Sequence, residues 1–112
     1  MKPSDAVLSL AALAQEHRLA AYRLLVQAGA PGLPAGAIAE RLDIPPSSLS
    51  FHLTHLVRSR LIEQERQGRS RIYRANYAAM NGLIDFLTEN CCGGASCDPA
   101  DSCAPVAREN AA

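Results

Sequence analysis

The sequence lacks the features that carry a chain into or across a membrane. Its 112 residues contain no apolar run approaching the roughly 20 residues that a membrane span needs. The segment Met1-Lys2-Pro3-Ser4-Asp5 lacks the charged-then-apolar pattern of a secretory signal peptide. We therefore expect a cytoplasmic protein of one domain with no membrane partner, in a compartment that keeps thiols reduced.

Cysteine is absent from the first ninety residues of the chain. All four cysteines, Cys91, Cys92, Cys97 and Cys103, fall within the next thirteen positions. In a cytoplasmic chain, clustered thiols favour binding of a soft metal or redox chemistry over structural disulfides. We therefore divide the chain into a folded domain, residues 1–90, and a cysteine-rich tail, residues 91–112.

The chain has no net charge, but its charges are segregated. Residues 46–76 hold six arginines against two glutamates, whereas residues 77–112 hold one arginine against five acidic residues. A basic segment in a neutral chain indicates a local site for a polyanion. The alternative is a solvated, arginine-rich face with no partner.

Periodicity predicts a mainly α protein with one small β-hairpin. Helices are expected at residues 5–14, 16–28, 35–42, 47–59 and 78–90, and strands at residues 61–66 and 71–76. Residues 30–34, rich in proline and glycine, are expected to form a turn. Two helices joined by a tight turn and followed by a hairpin are typical of a winged helix-turn-helix, here with five helices and a two-stranded wing.

The fourth predicted helix divides into an apolar and a polar side. Leu49, Leu53, Leu56 and Val57 share the side expected to face the core. The residues predicted to face DNA on this helix are Ser47, Ser48, Ser50, Phe51, Thr54, His55 and Arg58. His52 lies at the border, where it either contacts DNA or braces the turn. Arg66, Arg69 and Arg71 flank the hairpin tip and are predicted to reach backbone phosphates.

These segments resemble the ArsR/SmtB family of metal-sensing repressors. The resemblance rests on the run from Ala39 to Leu53, on Leu61-Ile62, and on Gln67-Gly68-Arg69 up to Tyr73. It implies a homodimeric winged-helix repressor, not an enzyme, that binds double-stranded operator DNA with an inverted repeat. It also implies that metal or metalloid binding releases the operator.

The resemblance places the dimer interface on the first and last helices. Met80, Leu83, Ile84 and Leu87 form an apolar stripe that fits this role, with Cys91 expected to continue it at the next turn. An ordinary core-facing stripe would show the same spacing.

The cysteines resemble the sensing site of one group of arsenic repressors in this family. Those proteins carry adjacent cysteines at the end of the last helix and a third shortly after, which Cys91, Cys92 and Cys97 match. Cys103 is the alternative third ligand. We expect As(III) as the inducer, with Sb(III) as a second candidate, and no organic cofactor. A thiol redox sensor and a sensor of another soft metal are the rival interpretations.

Overall fold

The computed structural model describes residues 1–94 and confirms a winged helix-turn-helix. Its helices are α1 (Pro3–Leu13), α2 (Glu16–Ala28), α3 (Ala35–Leu42), α4 (Pro46–Arg58) and α5 (Tyr77–Thr88). Its strands are β1 (Leu33–Pro34), β2 (Ile62–Gln67) and β3 (Ser70–Ala75), and a 3₁₀ turn spans Cys91–Gly94. The tail beyond Gly94 lies outside the described residues, and Cys97 and Cys103 with it.

The helix ends follow from local capping chemistry. The Gln15 side chain accepts a hydrogen bond from the Arg18 backbone N–H at 3.0 Å, which starts α2. The Asn76 side chain does the same for α5, accepting from the Ala79 N–H at 3.2 Å. Gly29, with φ of 72°, ends α2. These signals are readable in sequence, and the predicted bounds of α2 and α3 coincide with the observed ones.

The core lies where the helix-turn-helix packs against α2 and the start of the wing. The fully buried large side chains are Leu25, Ile38, Leu49, Leu53, Leu56, Leu61 and Ile62. Three of these seven belong to α4, so one side of that helix is fixed in the core. The opposite side of α4 is thereby turned to solvent.

The sheet has three strands in the order β1-β3-β2, one more than predicted. Leu33 pairs with Tyr73 and Pro34 with Ile72, so the turn expected at residues 30–34 ends in a short strand. Gly32 permits this approach, since its φ is +67° and a Cβ there would lie 2.5 Å from the Tyr73 carbonyl oxygen. A strand of two residues is too short to show the alternation by which strands are recognised.

The last helix is shorter than predicted. It ends at Thr88, after which Glu89 is extended (ψ of 146°) and Asn90 is left-handed (φ of 57°). The expectation that Cys91 continues the apolar stripe of α5 is therefore wrong. Asparagine enters the left-handed region more readily than most residues, so the helix breaks where Asn90 can turn the chain.

Candidate nucleic-acid interface and cysteine site

The side of α4 opposite its buried leucines carries most of the predicted DNA-facing residues. Its exposed members are Ser47, Ser48, Ser50, Phe51, Thr54 and Arg58. The serines lie in the first turns, where backbone N–H groups give the helix a positive end. The Thr54 hydroxyl donates to the Ser50 carbonyl at 2.9 Å, which leaves its oxygen able to accept a further bond. This surface offers donors, acceptors and positive charge together.

Phe51 is an unusual member of that surface because a large apolar ring is left in water. Its side chain is 61% exposed. The ring meets the half-buried His55 ring edge-on, with centroids 4.8 Å apart. An exposed apolar group among donors suits contact with the methyl group of thymine in the major groove.

His52 lies against α2 rather than on the exposed side of α4. Its Nδ1 accepts from Arg18 Nη1 at 3.4 Å, and its ring centroid is 5.5 Å from that of His17. Burial, followed by the nearby Arg18, His17 and His55, lowers the pKa of His52 below its usual value. This placement favours the interpretation in which His52 braces the packing of α4.

The wing presents three arginines, Arg66, Arg69 and Arg71, that form no ion pair with the described residues. Arg66 and Arg71 are direct cross-strand neighbours, so two like charges face each other at the exposed hairpin. Arg71 Nη1 donates to Gln64 Oε1 at 3.4 Å. In the described part of the chain no hydrogen bond or ion pair holds the side chains of Arg66 and Arg69. Opposed like charges destabilise a strand pair, and a polyanion would relieve that repulsion.

Arg74 belongs to the same basic segment but has a structural task. Its Nε donates to the Ala30 carbonyl at 2.7 Å, and its Nη1 forms an ion pair with Glu65 at 2.7 Å. It therefore ties the loop before β1 to both strands of the wing. The sequence analysis grouped Arg74 with the other arginines of the basic segment. Its contact with a residue 44 positions away leaves no signal in the local sequence.

The predicted dimer stripe on α5 splits into two parts. Leu83 is buried and Met80 packs against the core, so these two serve the monomer fold. Ile84 and Leu87 are 50% and 56% exposed. On α1, the apolar side chains of Val7, Leu8 and Leu10 are also exposed. The sequence reasoning did not single out the α1 residues, whose helix looked uniformly rich in alanine and leucine.

Cys91 and Cys92 lie together in the turn after α5. Their Sγ atoms are 3.7 Å apart, and Cys92 has a left-handed backbone with φ of 60°. The contact with the Cys92 thiol raises the pKa of Cys91 above its usual value, with smaller contributions from burial and charge repulsion. The two sulfurs are therefore close enough to approach one thiophilic ion together after a small adjustment.

Known proteins share both the sequence pattern and the fold. The profile of a family described as "Helix-turn-helix domain" matches residues 13–65. An ArsR-like transcriptional regulator from Rhodococcus sp. RHA1 has 28% sequence identity and a TM-score of 0.67, over 75% of this chain and 76% of that one. The chain is similar in sequence and fold to an ArsR-like winged helix-turn-helix regulator.

Two further proteins are similar to this chain. The homodimeric winged helix-turn-helix DNA-binding domain of Mb0332 from Mycobacterium bovis has the same fold, with a TM-score of 0.63, 24% identity, and coverage of 78% of this chain and 81% of that one. An uncharacterized HTH-type transcriptional regulator of Bacillus subtilis (strain 168) is 46% identical over 54 residues, 48% of this chain. The match spans only 24% of that relative's length. The proteins from Rhodococcus sp. RHA1 and Bacillus subtilis are described as transcriptional regulators, in agreement with the prediction that the chain is not an enzyme.

Two absences hold for the described part of this ArsR-like chain. Between residues 1 and 94, no group of three or more His, Cys, Asp or Glu side chains is arranged to hold a metal ion. In the same range, no helix combines the length and apolar character needed to cross a membrane.

Proposed function

We propose that this ArsR-like regulator is a homodimeric transcriptional repressor that leaves its operator when As(III) binds to Cys91, Cys92 and Cys97. The observation that carries the DNA-binding part is the continuous exposed surface formed by α4 and the wing. It combines short hydroxyls, one exposed aromatic ring and arginines whose charges are balanced by nothing in the described chain. Such a surface fits a polyanion read both at its backbone and at its bases.

The helix α4 and the wing make different contacts with the operator. α4 enters the major groove with its N-terminal serines on phosphates and base edges, and Phe51 contacts a thymine methyl group. Arg66, Arg69 and Arg71 on the wing contact phosphates. Because phosphate contacts release counterions, operator affinity falls steeply as salt is added.

A second copy of the chain would cover the exposed apolar side chains of α1 and α5. Val7, Leu10, Ile84 and Leu87 are each at least 43% exposed in the single chain. Burying them between two copies removes apolar surface from water. A two-fold dimer presents two α4 helices, which predicts an inverted-repeat operator with half-sites about one helical turn apart.

The inducer proposal rests on the sulfur pair and on charge balance. Cys91 and Cys92 hold their sulfurs 3.7 Å apart, and the tail adds Cys97, with Cys103 as the alternative. Arsenous acid reacts with three thiols to give three As–S bonds and three molecules of water, and both sides of the reaction are neutral. Release of DNA therefore requires a change of geometry near α5 and the dimer face, because no charge is added.

The rival redox sensor faces a geometric difficulty at the adjacent pair. Neighbouring Cα atoms across a trans peptide are about 3.8 Å apart, below the roughly 4.4–6.8 Å that disulfides usually span. Oxidation would more readily join Cys91 or Cys92 to Cys97, to Cys103 or to a cysteine of a second copy of the chain. This difficulty does not apply to a sensor of Sb(III), Bi(III) or Cd(II), which would use the same sulfurs.

A gel-shift series tests the proposal. We expect As(III) to release the parent chain and to leave Cys91→Ser, Cys92→Ser and Cys97→Ser bound, whereas Cys103→Ser is released like the parent. Release of the Cys92→Ser variant by As(III) would contradict the site. Release by peroxide alone, reversed by a dithiol, would establish the redox alternative instead.

A further inference from the structure

Arg18 of α2 contacts both α1 and α4, and it is not one of the residues proposed to contact DNA. Its Nε donates to the Ala12 carbonyl at 2.7 Å, and its Nη1 donates to His52 Nδ1 at 3.4 Å. Ala12 lies in the last turn of α1, Arg18 in the first turn of α2, and His52 in the middle of α4. One guanidinium therefore contacts the end of one helix and the side of another.

The Arg18 side chain is well suited to this position. Its own backbone N–H is held by the Gln15 side chain at 3.0 Å, so the first turn of α2 is fixed. The Ala12 carbonyl lies in the last turn of its helix, where carbonyls lack partners within the helix and cations are favourable. The planar guanidinium carries several donors in a fixed fork, so it can serve two acceptors in different directions at once.

We propose that Arg18 is a positioning residue that ties the end of α1 to the recognition helix α4 through the Ala12 carbonyl and the His52 ring. α1 carries exposed apolar side chains proposed for the dimer face, and α4 carries the surface proposed for DNA. Arg18 therefore transmits the position of the dimer face to the DNA-reading helix. The contact itself stands on the observed geometry, whereas the dimer face and the step from helix position to operator affinity rest on the proposed function.

The tie requires His52 to accept a hydrogen bond at Nδ1. The groups that face its ring are Arg18 and His17 from α2 and His55 from α4, together with the Phe51 ring. None of these is acidic, so nothing in this set stabilises an imidazolium. A protonated Nδ1 would turn a donor toward Arg18, and the contact would be lost.

The first test follows the His52 ring by NMR in the full-length chain without DNA. Arg18→Gln removes a cation next to the ring, so we expect the pKa of His52 to rise. Arg18→Lys keeps a cation there, so we expect a smaller rise. Arg23→Gln is the matched control, since Arg23 is exposed on the same helix and is not among the groups that shift the pKa of His52. An unchanged pKa of His52 in Arg18→Gln would overturn the inference.

The second test measures operator affinity in a double-mutant cycle. Arg18→Gln should weaken binding about fivefold, the size of one net hydrogen bond, with no change in salt dependence, because Arg18 is not proposed to contact phosphate. Arg18→Lys should not restore affinity, since one ammonium lacks the fork. In a chain that already carries His52→Gln, Arg18→Gln should not weaken operator binding further. Additive losses would overturn the transmission through His52.

The two tests separate the inference from the function on which its last step rests. Circular dichroism first establishes that each variant folds. A His52 ring that responds to Arg18 in a chain that binds no operator would confirm the tie and count against the repressor. A chain that binds operator normally with Arg18→Gln would overturn the positioning role.

Discussion

Three leucines hold the recognition helix α4 in the core, whereas the turn that carries Cys91 and Cys92 is shaped by its own backbone. Leu49, Leu53 and Leu56 are at most 2% exposed. The cysteine turn instead takes its path from left-handed residues at Asn90, Cys92 and Gly93. The first region is therefore rigid because the whole fold supports it, and the second can change shape while the fold stays intact. A DNA-reading surface needs the first property and a ligand-responsive segment needs the second.

The largest expected effect comes from loosening α4 in the core. Leu56→Ala removes a fully buried side chain, so the free energy of unfolding should fall by about 2–5 kcal/mol, measured by urea denaturation. Leu19→Ala, on the exposed side of α2, is the control and should change stability by less than about 1 kcal/mol. Equal losses in the two variants would contradict the described core.

The next largest effect is a loss of DNA affinity that leaves the stability of the fold unchanged. Arg69→Gln removes a wing charge that nothing in the described chain balances, so affinity should fall on all DNA sequences alike. The slope of log affinity against log salt should shrink by about one phosphate contact. Fluorescence anisotropy over a salt series measures both quantities. The control is Arg23→Gln, an exposed arginine on α2, which should keep the salt dependence of the parent chain. An equal decrease of the slope in this control would show that the effect comes from net charge and not from a phosphate contact of Arg69.

A smaller effect is a dependence of stability on pH that arises from His52 in α4. The folded chain holds the pKa of His52 below its ordinary value, so the unfolded chain takes up this proton first. Stability should be constant above an ordinary imidazole pKa of about 6.5 and should decline as pH falls through it toward the lower folded value. Urea midpoints between pH 8 and pH 5 should fall less in His52→Gln. Identical profiles would contradict the prediction.

The smallest effect is expected in the cysteine turn. Cys92→Gly removes the strain of a left-handed non-glycine residue, which stabilises the folded chain by about 1–2 kcal/mol. It also increases the conformational entropy of the unfolded chain, which destabilises the fold by about 0.5–1 kcal/mol. Stability should therefore change by no more than about 1.5 kcal/mol, while the response to As(III) is lost. Urea denaturation and a gel shift measure the two outcomes. A large loss of stability would show that the turn is part of the fold.

Elements with local signals were predictable from the sequence. Gly29 marks the end of α2, and the predicted bounds of that helix were right. The end of α5 was missed by two residues, because the left-handed turn at Asn90 was not considered. β1 was missed because its two residues are defined by pairing with β3, 38 or more positions later.

The candidate site divides in the same way. The polar side of α4 follows from helical spacing, and the structure leaves the predicted serines exposed. The contact between Arg18 and His52 spans 34 residues and leaves no trace in either segment. The split of the α5 stripe, with Leu83 inside and Leu87 outside, depends on how α5 packs against the rest of the chain. Helical spacing alone could not separate them.

The opposed pair Arg66 and Arg71 has a consequence for how such a protein changes its target. If the wing contacts phosphates as proposed, any nucleic acid would relieve the repulsion between the two charges, whatever its sequence, and the wing would then bind DNA without sequence preference. Discrimination between operators then falls to the few exposed positions of α4. Because those positions carry no core packing, a handful of substitutions there could retarget the regulator to a new promoter while its wing, its fold and its cysteine turn stay the same.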